Sequence, residues 1–179
     1  MNRYQDRLYP TVFRLTGCAE EAQDLLQDAF LRAFEKLDYF QGESSFYTWV
    51  YRIAVNLTLS NRRRKRPSLS LARGKEEGVG EPASDVEETD PSLPLERAER
   101  DRRVLEALDS LAPDHRAVIV MKEFDGLHYE EIGAILGVPV GTVRSRLHRA
   151  RCELRDRLRS LVDEELATSR PLTNHATGS

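Results

Sequence analysis

The sequence predicts an all-α protein in which a flexible linker joins two small helical domains. Apolar residues recur at three- and four-residue steps over most of the chain, which is the spacing of one face of an α-helix. A length of 179 residues is enough for two small domains. Residues 67–96 are rich in Gly, Pro, Ser and Glu, and this acidic composition cannot bury a core. We therefore expect a three-helix domain at 1–66, a flexible acidic linker at 67–96, a four-helix domain at 97–165 and a disordered tail at 166–179.

The first domain is expected to begin with a short helix at residues 4–15 and a longer one at residues 19–37. Acids in the first turn of the longer helix suit its dipole, and strong helix formers follow them. Its predicted buried face comprises Ala22, Leu25, Leu26, Ala29, Phe30, Ala33, Phe34 and Leu37. The polar face carries Asp24, Gln27, Asp28 and Arg32, and such a face taken alone is most often a solvated surface.

A third helix is expected to run to about residue 66 after a loop at residues 38–43, with Ser44 or Ser45 as its N-cap. Its likeliest core stripe is Phe46, Val50, Ile53, Ala54 and Leu57. Aromatic residues followed by a basic tail on one helix are typical of single-stranded nucleic-acid binding, because rings stack on bases and cations hold the backbone. The alternative is that Phe46 and Trp49 are simply core residues. We expect Phe46 to be a core residue, whereas the role of Trp49 stays open.

The second domain ends in a predicted helix-turn-helix. A short helix at residues 128–136 precedes Gly137, which suits a sharp turn, and Pro139, which suits the first turn of the next helix. The long final helix has an apolar stripe at Val143, Leu147, Ala150, Leu154, Leu158 and Leu161. Its outward face carries Arg144, His148 and Arg151, with Ser145 and Arg149 beside them. The alternative is a solvated basic surface, but the turn and the supporting helix favour entry into a DNA major groove.

Composition excludes several other classes of protein. The net charge of −3 is strongly segregated, because residues 62–66 are all basic while residues 76–96 contain acids and no Lys or Arg. Cys18 and Cys152 match no metal or redox spacing, and no Gly-rich phosphate loop appears, so we expect no catalytic residue, no metal site and no cofactor. The chain also lacks the apolar run of a signal peptide or a membrane span. We therefore expect a soluble cytoplasmic protein.

Two segments resemble a known family. Residues 24–56, from DLLQDAF to RIAVN, resemble the second conserved region of sigma-70 family factors, and residues 108–151, from LDSLAPD to RLHRAR, resemble the fourth. Direct joining of the two regions by a short linker is similar to the extracytoplasmic-function (ECF) subfamily. The resemblance implies a transcription initiation factor, not an enzyme. Such a factor binds core RNA polymerase, directs it to specific promoters and helps to melt them.

The resemblance also implies roles in polymerase binding. Asp24, Gln27 and Asp28 would dock on the clamp coiled coil of the polymerase β′ subunit, and the second domain would meet the β flap. The acidic linker would thread toward the RNA exit path, although a plain disordered tether explains its composition equally well. Many factors of this subfamily are held inactive by an anti-sigma protein, so we expect such a partner here.

In promoter DNA, the resemblance implies contacts to two elements. The loop at residues 39–44 would line a pocket for a base flipped from the minus-ten element. The minus-ten and melting residues would be Tyr39, Phe40, Trp49, Tyr51, Asn56, Asn61, Arg62, Arg63 and Arg64. The minus-thirty-five element would be read by Arg144, Ser145, His148 and Arg149, with Thr142, Arg146 and Arg151 on phosphates.

The sequence departs from the family pattern at two points. Members usually have another helix before a segment like RYQDRLYP, so the first domain is expected to be abbreviated or to continue upstream. Gly133 stands where Ala is more usual.

An ordinary dimeric helix-turn-helix repressor or activator is one alternative function, but such a protein has no use for the strand-melting segment at residues 24–56. An enzyme is the other, and the four histidines show no metal pattern.

Overall fold

The computed structural model describes residues 2–69 and 92–168, and all regular structure in these two ranges is helical. The first domain contains α1 (Asn2–Thr16), α2 (Ala19–Glu35), a 3₁₀ turn (Leu37–Tyr39) and α3 (Phe46–Leu69). The second contains α4 (Ser92–Ser110), α5 (Pro113–Ile119), a π-helical turn (Val120–Phe124), α6 (Tyr129–Leu136) and α7 (Val140–Thr168). The predicted all-α class is therefore confirmed for the described ranges.

The helices extend into both segments for which the sequence predicted no structure. Because α3 ends at Leu69 and α4 begins at Ser92, the two ends of the 67–96 segment are helical. In the same way α7 continues to Thr168, three residues into the predicted tail at 166–179. The rest of the linker and of the tail lies outside the described residues.

Local sequence explains where the helices of the first domain begin and end. Gly17 adopts a left-handed φ of 77°, which glycine tolerates without a Cβ penalty, and its N–H donates to the Phe13 carbonyl at 2.7 Å. This closes α1 before α2 begins. At the start of α3, the Thr48 N–H donates to Ser45 Oγ at 3.1 Å, so Ser45 provides the N-cap that the sequence left open between two serines.

The buried face of α2 is narrower than the sequence predicted. Its fully buried residues are Ala22, Leu25, Leu26, Ala29 and Ala33. The prediction is wrong for Phe34 and Leu37, which are 75% and 46% exposed. Phe34 lies about 100° around the helix from Ala33 and so falls outside the row that faces α1 and α3. Leu37 follows the end of α2 and therefore leaves the helical periodicity.

The two domains pack against each other, and their buried apolar residues form one continuous cluster. Helix α3 contacts both α5 and α6, while α1 contacts α4, α5 and the π-helical turn. The second domain therefore covers the face of α3 that is turned away from α1 and α2. As a result Tyr51, Val55 and Thr58 are buried although they lie outside the stripe that the periodicity predicted.

The helix-turn-helix has a tight turn between α6 and α7 that depends on two glycines. The His128 N–H donates to Glu131 Oε2 at 2.7 Å and starts α6, and Gly137 ends it with a left-handed φ of 68°. The Val138 N–H then returns to the Gly133 carbonyl at 3.0 Å. A Cβ on Gly133 would lie 2.9 Å from the Val138 carbonyl oxygen, so only glycine fits there without movement of the backbone.

We expect Gly133→Ala to lower the free energy of unfolding by about 1–2 kcal/mol, because the overpacked turn outweighs the better helix propensity of alanine. Thermal or urea unfolding followed by circular dichroism measures this. Gly141→Ala is the matched control, since a Cβ there meets nothing within 4 Å. The control should be neutral or stabilising, and equal stability of the two variants would contradict the steric argument.

Candidate nucleic-acid interface

The exposed surface of α7 carries the side chains that the sequence predicted as base readers. Val143, Leu147 and Ala150 are buried against α5 and α6, which fixes the rotation of the helix. The opposite side is exposed and presents Arg144, Ser145, His148 and Arg149. Arginine can grip guanine bidentately, and serine and histidine can donate to or accept from base edges. This row has the dimensions and chemistry of a major-groove reading surface.

Three of the basic residues around this row already have partners in the chain. The Arg144 guanidinium lies 5.9 Å from the centre of the Tyr129 ring. Arg146 Nη2 lies 3.1 Å from Asp114 Oδ2, and Arg151 Nη2 donates to Glu123 Oε1 at 2.6 Å. Arg146 and Arg151 would have to exchange a carboxylate for a phosphate in order to hold DNA.

An aromatic cluster lies between the loop before α3 and the first turns of that helix. The Trp49 ring is 5.2 Å from Phe40 and 5.9 Å from Phe46, centre to centre, and all three are half-buried. Tyr39, by contrast, is 79% exposed. Gly42 turns the loop with a left-handed φ of 74°. Trp49 is therefore neither a fully buried core residue nor a fully exposed one, because its ring is packed on one side and accessible on the other.

The polar residues farther along α3 are engaged in contacts within the chain. Tyr51 is 3% exposed and donates to Asp125 Oδ2 at 2.6 Å, and Asn56 Nδ2 donates to the Ile135 carbonyl at 3.1 Å. The remaining contacts join Arg62 to Asp109 at 2.7 Å, Arg63 to Asp114 at 2.6 Å and Asn61 to Glu21 at 2.7 Å. Asn61 bonds only within its own domain, whereas the other four residues reach the second domain; Arg62 also donates to the Thr16 carbonyl of α1. Arg64 is exposed.

The outer surface of α2 combines acids with exposed apolar side chains. Asp24, Gln27 and Asp28 are exposed, as the sequence predicted. Sequence reasoning missed Leu31 and Phe34, which lie beside them and are 58% and 75% exposed. Gln27, Leu31 and Phe34 line a shallow groove together with residues of α1. An exposed apolar patch with a polar rim is typical of a protein docking surface.

Comparison with known proteins decides the family. Residues 1–67 match the family model of sigma-70 region 2, and residues 101–154 match that of sigma-70 region 4. The chain is 39% identical to the ECF RNA polymerase sigma factor SigW of Bacillus subtilis over 163 residues, covering 88% of this chain and 86% of that protein. The chain belongs to the ECF group of the sigma-70 family.

Further relatives and solved structures agree with this assignment. The RNA polymerase sigma-H factor of Pseudomonas aeruginosa is 37% identical over 90% of this chain and 86% of its own length. The sigma factor RpoE of Bartonella quintana, solved with the anti-sigma factor NepR, has a TM-score of 0.65 and 27% identity, covering 87% of this chain and 92% of that one. A sigma factor of this group is a transcription initiation factor that directs RNA polymerase to specific promoters.

Sequence reasoning missed the buried ionic cluster of this sigma factor. Arg116 of α5 is 0% exposed; its Nε donates to the Arg14 carbonyl at 2.6 Å and its Nη1 to Asp109 Oδ1 at 2.7 Å. Burial and the charge of Arg62 lower the pKa of Arg116 to about 10, so the guanidinium stays charged at neutral pH. The one available signal was position: Arg116 shares the apolar face of α5 with Pro113, Ala117 and Val120.

Asp125 is the second polar centre between the domains. Its two carboxylate oxygens accept from Tyr51 at 2.6 Å and from Thr11 at 3.0 Å. Burial raises the pKa of Asp125 above its usual range, and the two hydroxyl donors oppose this only in part. Burial, with the nearby Asp125 charge, also raises the pKa of Tyr51, so its hydroxyl remains a donor at any ordinary pH.

Neither a membrane span nor a metal site is found within the described ranges. No helix there combines the length and the apolar character that crossing a bilayer requires. No group of three His, Cys, Asp or Glu side chains comes together in an arrangement suited to a metal ion.

We expect Tyr51→Phe to lower the free energy of unfolding by about 1–2 kcal/mol, because Asp125 loses one of its two donors while the ring still fills its site. Chemical unfolding monitored by circular dichroism measures the change. Tyr39→Phe removes a hydroxyl from an exposed ring and should leave stability unchanged. A loss of the same size in both variants would count against the bond to Asp125.

Proposed function

We propose that this sigma factor contacts two promoter elements with separate helical surfaces and docks on the polymerase through α2. The observation that carries the proposal is the row of exposed base-reading side chains on α7, held outward by three buried apolar residues. Arg144, Ser145, His148 and Arg149 are assigned to the minus-thirty-five element. The functional division of the chain is then 1–66 and 97–165, with 67–96 as a tether whose acidic residues are suited to basic channels of the polymerase.

Phosphate contacts are assigned to the flanks of the same helix. Thr142 lies beside the reading row, and Arg146 and Arg151 lie on its two sides. Both arginines are paired with carboxylates in the free chain, at 3.1 Å and 2.6 Å. The Arg151 pair is exposed and the Arg146 pair is partly exposed, and solvent-screened pairs contribute little stability. Exchange of a carboxylate for a phosphate is therefore inexpensive once polymerase has brought the helix to the groove.

The minus-ten element is assigned to the first domain. Tyr39 is 79% exposed at the start of the 39–44 loop, whereas Phe40 and Trp49 support each other and form a rigid wall for an unstacked base. The melted strand would continue along Tyr51, Asn56, Asn61, Arg62, Arg63 and Arg64. Since most of these residues contact the second domain, strand binding requires the two domains to separate.

Polymerase docking is assigned to the outer surface of α2. Asp24, Gln27 and Asp28 supply polar contacts for the clamp coiled coil of the β′ subunit, and Leu31 adds the apolar surface that such an interface needs at its centre. The second domain is assigned to the β flap. Because polymerase works in the cytoplasm, we place the action of the protein there.

An anti-sigma protein is the remaining proposed partner. The similar RpoE structure of Bartonella quintana contains an anti-sigma factor, and this chain covers 92% of that RpoE. The exposed apolar patch on α2 offers a surface that an inhibitor could cover in competition with polymerase.

We expect Arg149→Ala to reduce run-off transcription at least tenfold, in an assay with purified core polymerase and a promoter selected from a randomised library. Loss of a bidentate base contact costs about 1–3 kcal/mol of discrimination. Arg155→Ala, which removes an exposed arginine farther along α7, is the control and should keep full activity. If the two variants transcribe equally well, α7 does not read the upstream element through Arg149.

We expect Trp49→Ala to reduce transcription from a linear duplex but not from a template with a pre-melted minus-ten region. The reason is that loss of the ring removes both a stacking surface and the support of Phe40. Heparin-resistant complexes on the two templates provide the measurement. A defect of the same size on both templates would assign Trp49 to folding or polymerase binding and not to strand opening.

A further inference from the structure

We infer that Arg7 of α1, placed over the ring of Tyr47, binds a backbone phosphate of the melted promoter strand near the base assigned to the 39–44 loop. The inference rests on the strand binding proposed for the first domain. It adds to that proposal a contact from a helix to which no DNA contact has been assigned.

The Arg7 guanidinium is held in place by a ring and not by an acid. Arg7 is exposed, and its Cζ lies 4.1 Å from the centre of the Tyr47 ring. Among the described residues no carboxylate lies within ion-pair distance of it, whereas Arg62 and Arg63 are both paired with aspartates. A guanidinium that lies over a ring keeps its N–H donors at the edge of its plane. Arg7 is therefore positioned without being neutralised.

A row of four rings connects the 39–44 loop to this arginine. The ring of Phe40 lies 5.9 Å from that of Phe46, which lies 5.7 Å from that of Tyr4. The Tyr4 ring lies 6.3 Å from that of Tyr47, on which Arg7 rests. All four rings are half-buried, so each of them is partly accessible. Accessible rings beside a cation are the arrangement that binds single-stranded DNA without sequence preference.

Arg7 lies apart from the groove that is proposed for polymerase docking. Gln5, Asp6 and Tyr9 of α1 line that groove together with α2. Arg7 instead contacts a ring of α3. Helix α1 thus has one side for the groove and another for the Arg7 site, so a change at Arg7 leaves the docking surface intact.

The acids close to this site do not cancel its charge. Burial raises the pKa of Tyr47, the Arg7 charge opposes this, and the nearby Asp125 adds to it. Tyr47 is therefore neutral at ordinary pH and does not repel a phosphate. The two oxygens of Asp125 accept from Tyr51 and from Thr11, and Asp125 forms no ion pair with Arg7 in the described ranges.

A phosphate contact at this place has a clear use in strand capture. Phosphate contacts fix the register of a strand, whereas base contacts read its sequence. Arginine holds phosphate through two parallel N–H donors, and a donor pair that is already positioned loses little entropy on binding. Arg7 can therefore hold the backbone while the base enters the loop pocket.

The experiment measures binding of the holoenzyme, assembled from the full chain and purified core polymerase, to a fluorescent fork-junction DNA. This DNA carries a promoter selected from a randomised library, and its non-template strand is single-stranded from the minus-ten element onward. Fluorescence anisotropy gives the Kd. Arg7→Ala should weaken binding about tenfold, the loss expected for one charge-assisted contact. Arg155→Ala removes an exposed arginine of α7 and should bind like the unmodified chain.

Two further readouts identify a phosphate as the ligand. The slope of log Kd against log salt concentration should fall in Arg7→Ala by about 0.7, the value for one phosphate of a single strand. Forks with one uncharged methylphosphonate at successive positions of the single strand should show one position that weakens binding of the unmodified chain about tenfold. The same substitution should have no further effect in Arg7→Ala, because the partner has already been removed. Arg7→Lys keeps the charge and should recover part of the affinity.

The outcomes separate this inference from the proposed strand binding. Tyr39→Ala, which removes an exposed ring of the loop, is measured on the same forks. If Tyr39→Ala weakens binding but Arg7→Ala does not, only the Arg7 contact is overturned. If neither variant nor any methylphosphonate changes the Kd, strand binding by the first domain is overturned as well. A loss in Arg7→Ala that is equally large for binding to core polymerase without DNA assigns Arg7 to polymerase and overturns the phosphate contact.

Discussion

The buried guanidinium of Arg116 is the constraint on which the arrangement of the two domains depends. A charged side chain that is 0% exposed needs a carboxylate and further acceptors, and α5 alone cannot provide them. They come from Asp109 of α4 and from the Arg14 carbonyl at the end of α1. Leaving such a charge buried without its carboxylate costs about 3–5 kcal/mol, which fixes α5 relative to α4. The bond to the Arg14 carbonyl ties α5 to α1. The packing of α3 against the second domain follows from that placement.

Several arginines on the proposed DNA-binding surfaces are likewise paired with carboxylates. Asp109, Asp114 and Glu123 each hold an arginine that the DNA-binding hypothesis assigns to promoter contacts, and Asp114 holds one from each domain. Internal carboxylates therefore compete with phosphates for these cations. Because DNA affinity depends on the number of phosphates neutralised, each internal pair weakens non-specific binding.

Sequence periodicity predicted the features that depend on neighbours within about thirty residues, and it failed where partners come from far along the chain. The turn at Gly137, the Ser45 cap and the outward row on α7 all follow from local chemistry, and the structure shows each of them. Tyr51 lies outside the predicted core stripe, yet it is buried and bonded to Asp125, which lies 74 residues away. Arg116 bonds to Arg14 across 102 residues, a contact that a single sequence does not encode visibly.

The polar character of the domain contact has a physical reason. Under the proposed strand binding by α3 the two domains have to separate. The surfaces that they then expose cannot be purely apolar, because a large exposed apolar patch promotes aggregation or unwanted binding. Hydrogen-bonded tyrosine, asparagine and arginine side chains can be solvated once they separate, and they can then bind bases and phosphates with the same donors. The chemistry suited to DNA binding is therefore also suited to a reversible contact between domains. In the proposed function, the side chains of α3 that contact the second domain in the free chain are the ones assigned to the melted strand.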